Sequence, residues 1–281
     1  MILIALLLGA LGIADLARVR GASRARAGSR PPAAAPPATS TAVGAALAIV
    51  AFVLVSLGLG LAWWWSPIAA AAIIGWLLAT REGDPGRAAR GSGYWAIALL
   101  AGLVLAAFVF GPRLPAPSGP LVAWYDALPY GALTHVDVTT FALAVGGVLF
   151  LVETSNVIVR LALRGERSAA PVAPAAPAAV AARRWWQARP APEPVAPPVV
   201  ELKGGRFIGP LERLFLLALV LGGQFTAIAA LVAAKGIVRF PEISKDAAGG
   251  SKAEYFLVGS FASWSLVLLI ALLVALGAPV A

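Results

Sequence analysis

The chain contains no cysteine, a single histidine and few charged residues. The absence of cysteine excludes disulfide bonds, thiolate nucleophiles and cysteine metal sites. Because His135 has no second histidine near it, a zinc site is not expected. Only 12% of the 281 residues are charged, roughly half the share of about 25% that is usual in soluble domains. The composition therefore excludes an ordinary soluble protein.

Hydrophobic residues make up 60% of the chain, and apolar runs of about 20 residues recur, each long enough to cross a hydrocarbon core of about 30 Å as a helix. The runs are not alternating strands of about ten residues, so the need to satisfy backbone hydrogen bonds in lipid favours helices over a barrel. We predict an all-α, polytopic transmembrane helical bundle with seven spans, at about 2–18, 42–62, 66–80, 94–110, 137–159, 210–234 and 255–277.

Two Pro/Ala-rich segments divide the membrane regions. Residues 19–40 are basic and rich in proline, alanine and serine, and residues 165–205 carry too much proline for a helix and too little bulk for a core. Both are predicted to be cytoplasmic connecting segments. They separate a short N-terminal span at 1–18, a four-span region at 41–164 and a C-terminal two-span hairpin at 206–281.

The distribution of Lys and Arg predicts an orientation. The loops at 18–30, 81–90 and 160–206 hold 16 of the 22 Lys and Arg residues, and the opposite loops hold five. Because cytoplasmic loops are enriched in positive charge, the N-terminus is predicted outside and the C-terminus inside a bacterial inner membrane. The net charge of +9 is then explained by contact with an anionic inner leaflet, and not by binding of nucleic acid.

Small residues recur at helical spacing in the last two predicted spans. Such faces allow close approach of helix backbones in lipid, where apolar burial does not drive association. We expect the two spans to pack together. A homo-oligomer or the binding of another membrane protein through these faces is the alternative. The residues are Gly223, Ala227, Ala230 and Ala234 on the first span, and Gly259, Ser260 and Ser263 on the second.

Three charged residues stand inside or beside apolar runs. Glu153 is the deepest acidic residue of the fifth predicted span, and a carboxylate within a membrane is costly unless it is paired or hydrated. It is either a structural ion-pair partner or a proton or ion site. Glu212 follows Pro210 in the first turn of a predicted helix, where a carboxylate complements the helix dipole. Arg213 is expected either to extend to the headgroups or to pair with Glu153.

Lys235 and Arg239 stand four residues apart at the end of the sixth predicted span. Glu254 begins the next span and is placed to pair with either cation across the loop, in a surface ion pair of little individual strength. That explanation fits Lys235 poorly, because a lysine at this end of the span opposes the predicted orientation. Lys235 therefore needs a local explanation.

The segment 205–262 resembles a bacterial family of uncharacterised integral membrane proteins that carry a domain of unknown function. Its pattern is G-x-x-I-G-x-L-E-R, then A-A-K-x-x-x-R-F, then E-Y-x-L-x-G-[TS]. The family implies no known activity. The resemblance implies that the residues of this chain that match the pattern belong to a shared motif. They are Gly205, Ile208, Gly209, Leu211, Glu212, Arg213, Gly223, Gln224, Ala233, Ala234, Lys235, Arg239, Phe240, Glu254, Tyr255, Leu257, Gly259 and Ser260.

The sequence favours a non-enzymatic membrane component with a structural or partner-binding role. A small transporter or channel component is the alternative, with Glu153, Gln224 and the Lys235, Arg239 and Glu254 cluster along a polar path. An intramembrane enzyme would need a convergent catalytic set, and the chain has no phosphate-binding glycine loop, no paired catalytic carboxylates and no H-E-x-x-H motif. No catalytic residue, cofactor or metal is predicted.

Overall fold

The protein is described here by a computed structural model that covers residues 1–28, 38–81, 94–133, 135–169, 205–244 and 251–278. Within these ranges every regular element is helical, as the predicted all-α class requires. The α-helices are α1 Ile2–Gly28, α2 Ala38–Gly58, α3 Trp65–Ala79, α4 Tyr94–Phe110, α5 Pro120–Asp126, α6 Val138–Leu149, α7 Ser155–Ala169, α8 Gly205–Leu221, α9 Phe225–Ser244 and α10 Ser251–Gly277. A π-helical segment, Phe150–Thr154, joins α6 to α7 in one continuous rod.

Five helical stretches have the length and composition to cross a membrane, as expected of a membrane protein. They are Ile2–Gly21, Thr39–Gly58, Tyr94–Arg113, Val138–Leu163 and Ala253–Gly277. The apolar helix α3 is shorter, at 15 residues. These six elements correspond to six of the seven predicted spans.

Helix α1 occupies the centre of the bundle. Its side chains Ile4 and Leu11 are almost fully buried, and glycines let its backbone meet α6 closely. A Cβ atom on Gly12 would clash with the backbone of Leu149, and one on Gly146 would clash with the carbonyl of Ala5. The close contacts run in the same order along both helices, so α1 and α6 are parallel. This packing through small residues is typical of helices in lipid.

Helix α10 runs antiparallel to the α6–α7 rod. The Thr140 hydroxyl donates to the carbonyl oxygen of Gly277 at 2.8 Å, whereas Gly259, near the start of α10, faces Leu163 near the end of the rod. Because α1 is parallel to α6, the first residue of α1 and the last residue of α10 lie at the same end of the bundle. We call this the Met1 end.

The predicted continuous span at 210–234 is wrong, because the helix stops in its middle. Gly223 has a φ of 67°, its N–H donates to the Val220 carbonyl, and the Gln224 N–H donates to the Leu219 carbonyl. These two bonds form a Schellman motif with glycine in the left-handed conformation, which ends a helix. The chain then turns back as α9.

The direction of α9 follows from one contact. The Lys235 Nζ lies 2.6 Å from a carboxylate oxygen of Glu212, whereas an unbroken helix would separate these two residues by about 34 Å at 1.5 Å per residue. Helices α8 and α9 therefore form a hairpin, and Lys235 lies beside the middle of α8. The predicted packing of Ala227, Ala230 and Ala234 onto the last span is also wrong, because all three are exposed.

The predicted connecting segments are shorter than expected where the structure describes them. Helix α1 continues to Gly28, so residues 19–28 are helical, and α2 already begins at Ala38. Helix α7 extends to Ala169, five residues into the predicted linker at 165–205. The predictions for residues 29–37 and 170–204 lie outside the described residues.

Candidate functional site: a buried polar network

Arg213 lies in the interior of the bundle, where α8 meets α7 and α10. Its side chain is buried, and its guanidinium donates to four oxygen atoms on three other elements. The Nε atom donates to the Ser263 hydroxyl at 2.7 Å. The Nη1 atom donates to the Ser155 hydroxyl at 2.8 Å, the Asn156 side-chain oxygen at 2.7 Å and the Leu151 carbonyl at 3.2 Å. Of the two predicted alternatives, extension to the headgroups is therefore wrong.

The π-helical segment prepares this site. In a π turn the backbone N–H reaches the carbonyl five residues earlier, and the Ser155 N–H accordingly donates to the Phe150 carbonyl. The Leu151 carbonyl receives side-chain donors, the Ser155 hydroxyl at 2.6 Å and Arg213. The π-helical segment is thus the part of the rod to which Arg213 anchors α8. Such segments are frequent at functional sites and rare elsewhere.

Glu153 belongs to the same network through Asn156. The side-chain nitrogen of Asn156 donates to a Glu153 carboxylate oxygen at 3.4 Å, while its side-chain oxygen accepts from Arg213. The other carboxylate oxygen of Glu153 lies 3.9 Å from Arg160, which is half exposed. The buried carboxylate is thus bridged to one arginine and paired with another, which fits the ion-pair alternative for Glu153, and the proton- or ion-site alternative stays a prediction.

A second polar cluster joins α1 to α3. Asp15 is completely buried, 2.8 Å from the Arg18 guanidinium on the next turn. The indole N–H of Trp76 donates to the other Asp15 oxygen at 3.0 Å. Arg18 also donates to the Thr80 hydroxyl at 3.0 Å. We call these four residues the α1–α3 clamp, because the carboxylate and the cation of α1 bind the indole and the hydroxyl of α3.

A third cluster joins α8, α9 and α10 with the same three chemical groups. The Lys235 ammonium and the Trp264 indole N–H, at 3.1 Å, both donate to one Glu212 oxygen. The ammonium also lies over the rings of Trp264 and Phe256, 5.3 and 5.9 Å from their centroids. We call these residues the α8–α9 clamp. It provides the local explanation that Lys235 requires, since Glu212 is its partner, and not Glu254 as expected.

The other predicted positions lie outside these clusters. Gln224 is exposed in the turn between α8 and α9, where its side-chain nitrogen donates to the Gly222 carbonyl at 3.1 Å. Arg239 is exposed on α9, and Glu254 is exposed in the first turn of α10. The structure therefore brings Glu153, Glu212, Arg213 and Lys235 into polar clusters and leaves Gln224, Arg239 and Glu254 at the surface.

Several members of the clusters were not predicted from the sequence. Asp15 and Arg18 stand three residues apart in an apolar helix, and an ionisable pair at this spacing inside a span is a recognisable signal. The neutral partners Ser155, Asn156 and Ser263 carry no such signal, because hydroxyl and amide side chains are common in membrane helices.

The chemistry available to these clusters is hydrogen bonding and charge pairing. Among the described residues, no three His, Asp or Glu side chains converge as a metal site would require. A cavity of about 200 Å³ between α1, α2, α3 and α4 is lined almost entirely by apolar side chains. In the described ranges the polar groups thus connect helices to one another and do not line that cavity.

Comparison with known protein families, curated proteins and solved structures finds no match to this chain. The resemblance of residues 205–262 to an uncharacterised membrane family stays a prediction.

Proposed function

We propose that this chain is a non-enzymatic protein of a bacterial inner membrane that binds a second membrane helix through α9. One observation carries the proposal. Between residues 227 and 234 the outward face of α9 consists of alanine, at Ala227, Ala229, Ala230, Ala233 and Ala234, all of them exposed, and larger exposed side chains flank this stretch at Phe225, Ile237 and Val238. A helix that only faces lipid has no need of small residues there, whereas a helix that receives another helix does, because small residues let two backbones approach.

The exposed faces of other helices support this reading. Helix α2 presents Leu47, Val50, Leu54 and Leu57 to the outside, each more than half exposed. These branched side chains fill space against acyl chains. In the middle of α9 the arrangement is the reverse, because the larger side chains Ile228 and Leu231 pack inward and the alanines between residues 227 and 234 are exposed.

In this proposal the polar clusters hold α9 in place. Arg213 anchors α8 to α7 and α10, and the α8–α9 clamp then ties α9 to α8. Ion pairs and hydrogen bonds are suited to this task, because in lipid they hold helices together where the hydrophobic effect does not. The hairpin thereby presents its alanine face in one fixed direction.

The same proposal includes a revised topology. We infer six crossings, by α1, α2, α3, α4, the α6–α7 rod and α10, with the α8–α9 hairpin entering and leaving on one side. Of the 22 Lys and Arg residues, every one except Arg113 then belongs to an inner segment or to the hairpin, in better agreement with the positive-inside rule than the seven-span prediction. Both termini fall outside, which replaces the cytoplasmic C-terminus predicted from the sequence.

Cysteine labelling tests this topology, because the chain contains no cysteine of its own. Ala248→Cys lies in the sequence between α9 and α10, and Ala88→Cys lies between α3 and α4. We expect a membrane-impermeant maleimide to label both positions only after the cells are permeabilised, with Ser118→Cys at the Met1 end as the outward control. Labelling of position 248 in intact cells would contradict the hairpin topology and support a continuous span at 210–234.

Cross-linking tests the proposed partner. Single cysteines at Ala227, Ala230 and Ala234 sample the alanine face, Ile228→Cys samples the inward face, and Leu47→Cys on α2 is the lipid-facing control. In native membranes we expect a maleimide–diazirine reagent, whose maleimide couples to the cysteine and whose carbene inserts into a neighbouring chain on illumination, to give one defined protein product from the alanine face alone. The mass of the product separates a second copy of this chain from another protein. Equal products from Leu47→Cys and Ala230→Cys would exclude a specific interface.

A transport role is the second candidate, and the buried carboxylates Asp15 and Glu153 favour it, because ionisable groups within a membrane often mark ion or proton paths. Glu153→Gln separates the two. If the variant remains abundant and folded but an ion flux through reconstituted vesicles is lost, the transport role is supported. If the flux is absent in the wild-type chain as well, the partner-binding role is retained.

A further inference from the structure

A second feature of the molecule lies at the Met1 end, away from the polar clusters. The apolar cavity of about 200 Å³ extends from Trp65, Phe110 and Leu114 at this end to Leu7 and Leu103 deeper in the bundle. From Leu103 to Phe110 it follows α4 for about 10 Å at 1.5 Å per residue. The cavity therefore has an elongated shape that runs along the helix axes.

Alanine residues create this space. Ala69 and Ala72 on α3, and Ala106 and Ala107 on α4, line the cavity where larger side chains would close it. Two other lining residues, Ile68 and Phe110, are about half exposed, so the cavity opens sideways between α3 and α4. An apolar cavity that opens toward lipid accepts a hydrocarbon chain without loss of any hydrogen bond.

Arg113 stands at the mouth of the cavity. Its guanidinium carbon lies 5.6 Å from the ring centroid of Phe110, a lining residue, and its Nη1 atom donates to the Val109 carbonyl at 3.1 Å. These contacts hold an exposed cation beside Phe110, and in the sequence Arg113 lies between two other lining residues, Gly111 and Leu114. An arginine in this place presents a planar donor group suited to a phosphate.

The charge distribution makes Arg113 an exception. Under the proposed topology it is the one Lys or Arg residue of the chain outside the inner segments and the hairpin, on the side of the membrane where positive charge is disfavoured. A positive charge beside an open apolar cavity provides the two features that recognise an anionic lipid, one for its phosphate and one for its acyl chain.

We propose that this cavity binds one anionic phospholipid, with an acyl chain between α3 and α4 and its phosphate at Arg113. The site is independent of the alanine face of α9. Its assignment to the outer leaflet rests on the proposed topology, whereas the binding itself does not.

Native mass spectrometry of the full chain, purified in detergent micelles, tests the proposal. The probes are dioleoyl phosphatidylglycerol, its zwitterionic choline counterpart and inorganic phosphate. Ala106→Phe fills the cavity at an exposed position and Arg113→Gln removes the charge. Ala101→Phe on the exposed side of α4, which does not line the cavity, and Arg239→Gln at the opposite end are the matched controls.

We expect one tightly held phosphatidylglycerol per chain. Ala106→Phe should weaken its binding about tenfold, which corresponds to about 1.4 kcal/mol, and Arg113→Gln should weaken it about fivefold, whereas neither control changes it. The choline lipid should bind more weakly and should not respond to Arg113→Gln. Inorganic phosphate should not compete. Equal lipid affinity of the wild type and Ala106→Phe would contradict binding in the cavity. An equal loss of lipid affinity in Ala101→Phe and Ala106→Phe would contradict it as well. An unchanged affinity in Arg113→Gln overturns recognition of the phosphate.

Discussion

The two hairpins of this protein, α2–α3 and α8–α9, begin in the same way and end differently. Gly60 has a φ of 73° and Gly223 a φ of 67°. In the first hairpin the N–H groups of Gly60 and Leu61 donate to the Leu57 and Ser56 carbonyls, the same pair of bonds that Gly223 and Gln224 make in the second. Each first helix thus stops at a Schellman motif, so the local signal for a reversal of the chain is the same.

The second helix of each hairpin is also held by a clamp of similar composition, which ties α3 to α1 in the first case and α9 to α8 in the second. In the α1–α3 clamp a carboxylate binds Arg18 and the Trp76 indole, and in the α8–α9 clamp a carboxylate binds Lys235 and the Trp264 indole. The difference is burial. The side chains of Arg18 and Asp15 are 7% and 0% exposed, whereas those of Lys235 and Glu212 are 25% and 16% exposed.

Burial follows from the neighbours of the returning helix. Helix α3 meets α1, α2 and α4, and its Ile73 and Leu77 are buried in the core. Helix α9 is held chiefly by α8, and its exposed face begins at Phe225, which is 72% exposed. The turn motif therefore reverses the chain and the clamp fixes the returning helix, while the surrounding helices determine whether that helix lies in the core or at the surface.

The largest expected difference in folding stability lies between substitutions of the two clamp carboxylates, Asp15 and Glu212. Asp15→Ala leaves Arg18 buried without its partner, which should cost about 3–5 kcal/mol of folding stability. Glu212→Ala leaves a Lys235 that reaches solvent or headgroups, at a cost of about 1 kcal/mol or less. Thermal unfolding of both variants in the same micelle measures the difference. Equal shifts in Tm would mean that burial does not distinguish the two clamps.

Arg213 should give an intermediate effect. Arg213→Leu leaves the oxygen atoms of Ser155, Asn156 and Ser263 without their common donor, which should cost about 2–3 kcal/mol through unsatisfied buried groups. Arg213→Lys keeps the charge but not the fork of donors, so its stability should fall between the two. Arg239→Leu at an exposed position serves as the control. If it destabilised the protein as much as Arg213→Leu, the loss of charge alone would explain the effect.

The smallest difference within a pair of variants is expected between the two turn glycines. Gly223→Ala places a side chain in the left-handed conformation with open space around it, at a cost of about 1–2 kcal/mol. Gly60→Ala carries the same strain and also brings a Cβ atom to 3.0 Å from the Gly119 nitrogen. Its Tm should therefore fall further, and the difference between the two variants measures packing alone. The reverse order of Tm values would contradict the open environment of Gly223.

The charged groups were predictable from the sequence as individuals, but not as pairs. Glu153, Glu212, Arg213 and Lys235 stand out because an ionisable residue in an apolar run is costly. Their partners depend on which helices meet. Lys235 was expected near Glu254, its neighbour across a short loop, and it pairs with Glu212 because α9 turns back.

The break at Gly223 shows why the sixth span was predicted wrongly. Hydrophobicity over 210–234 is continuous, and a glycine pair is tolerated within membrane helices, so composition alone favours a straight span. The sequence Leu221-Gly222-Gly223-Gln224 does contain a glycine where a Schellman motif needs one. Whether a glycine ends a helix or lies within it depends on what the following segment packs against.

Local composition is enough to predict the helical class, the approximate bounds of six apolar helices and the ionisable residues that need a partner in lipid. Backbone hydrogen bonds and side-chain transfer energies act residue by residue, so these properties can be predicted from short stretches of the chain. The α8–α9 hairpin, the four oxygen atoms around Arg213 and the central position of α1 emerge only from the folded chain. Those outcomes depend on contacts between segments far apart in the chain, and such contacts leave no periodic trace in the sequence of either partner.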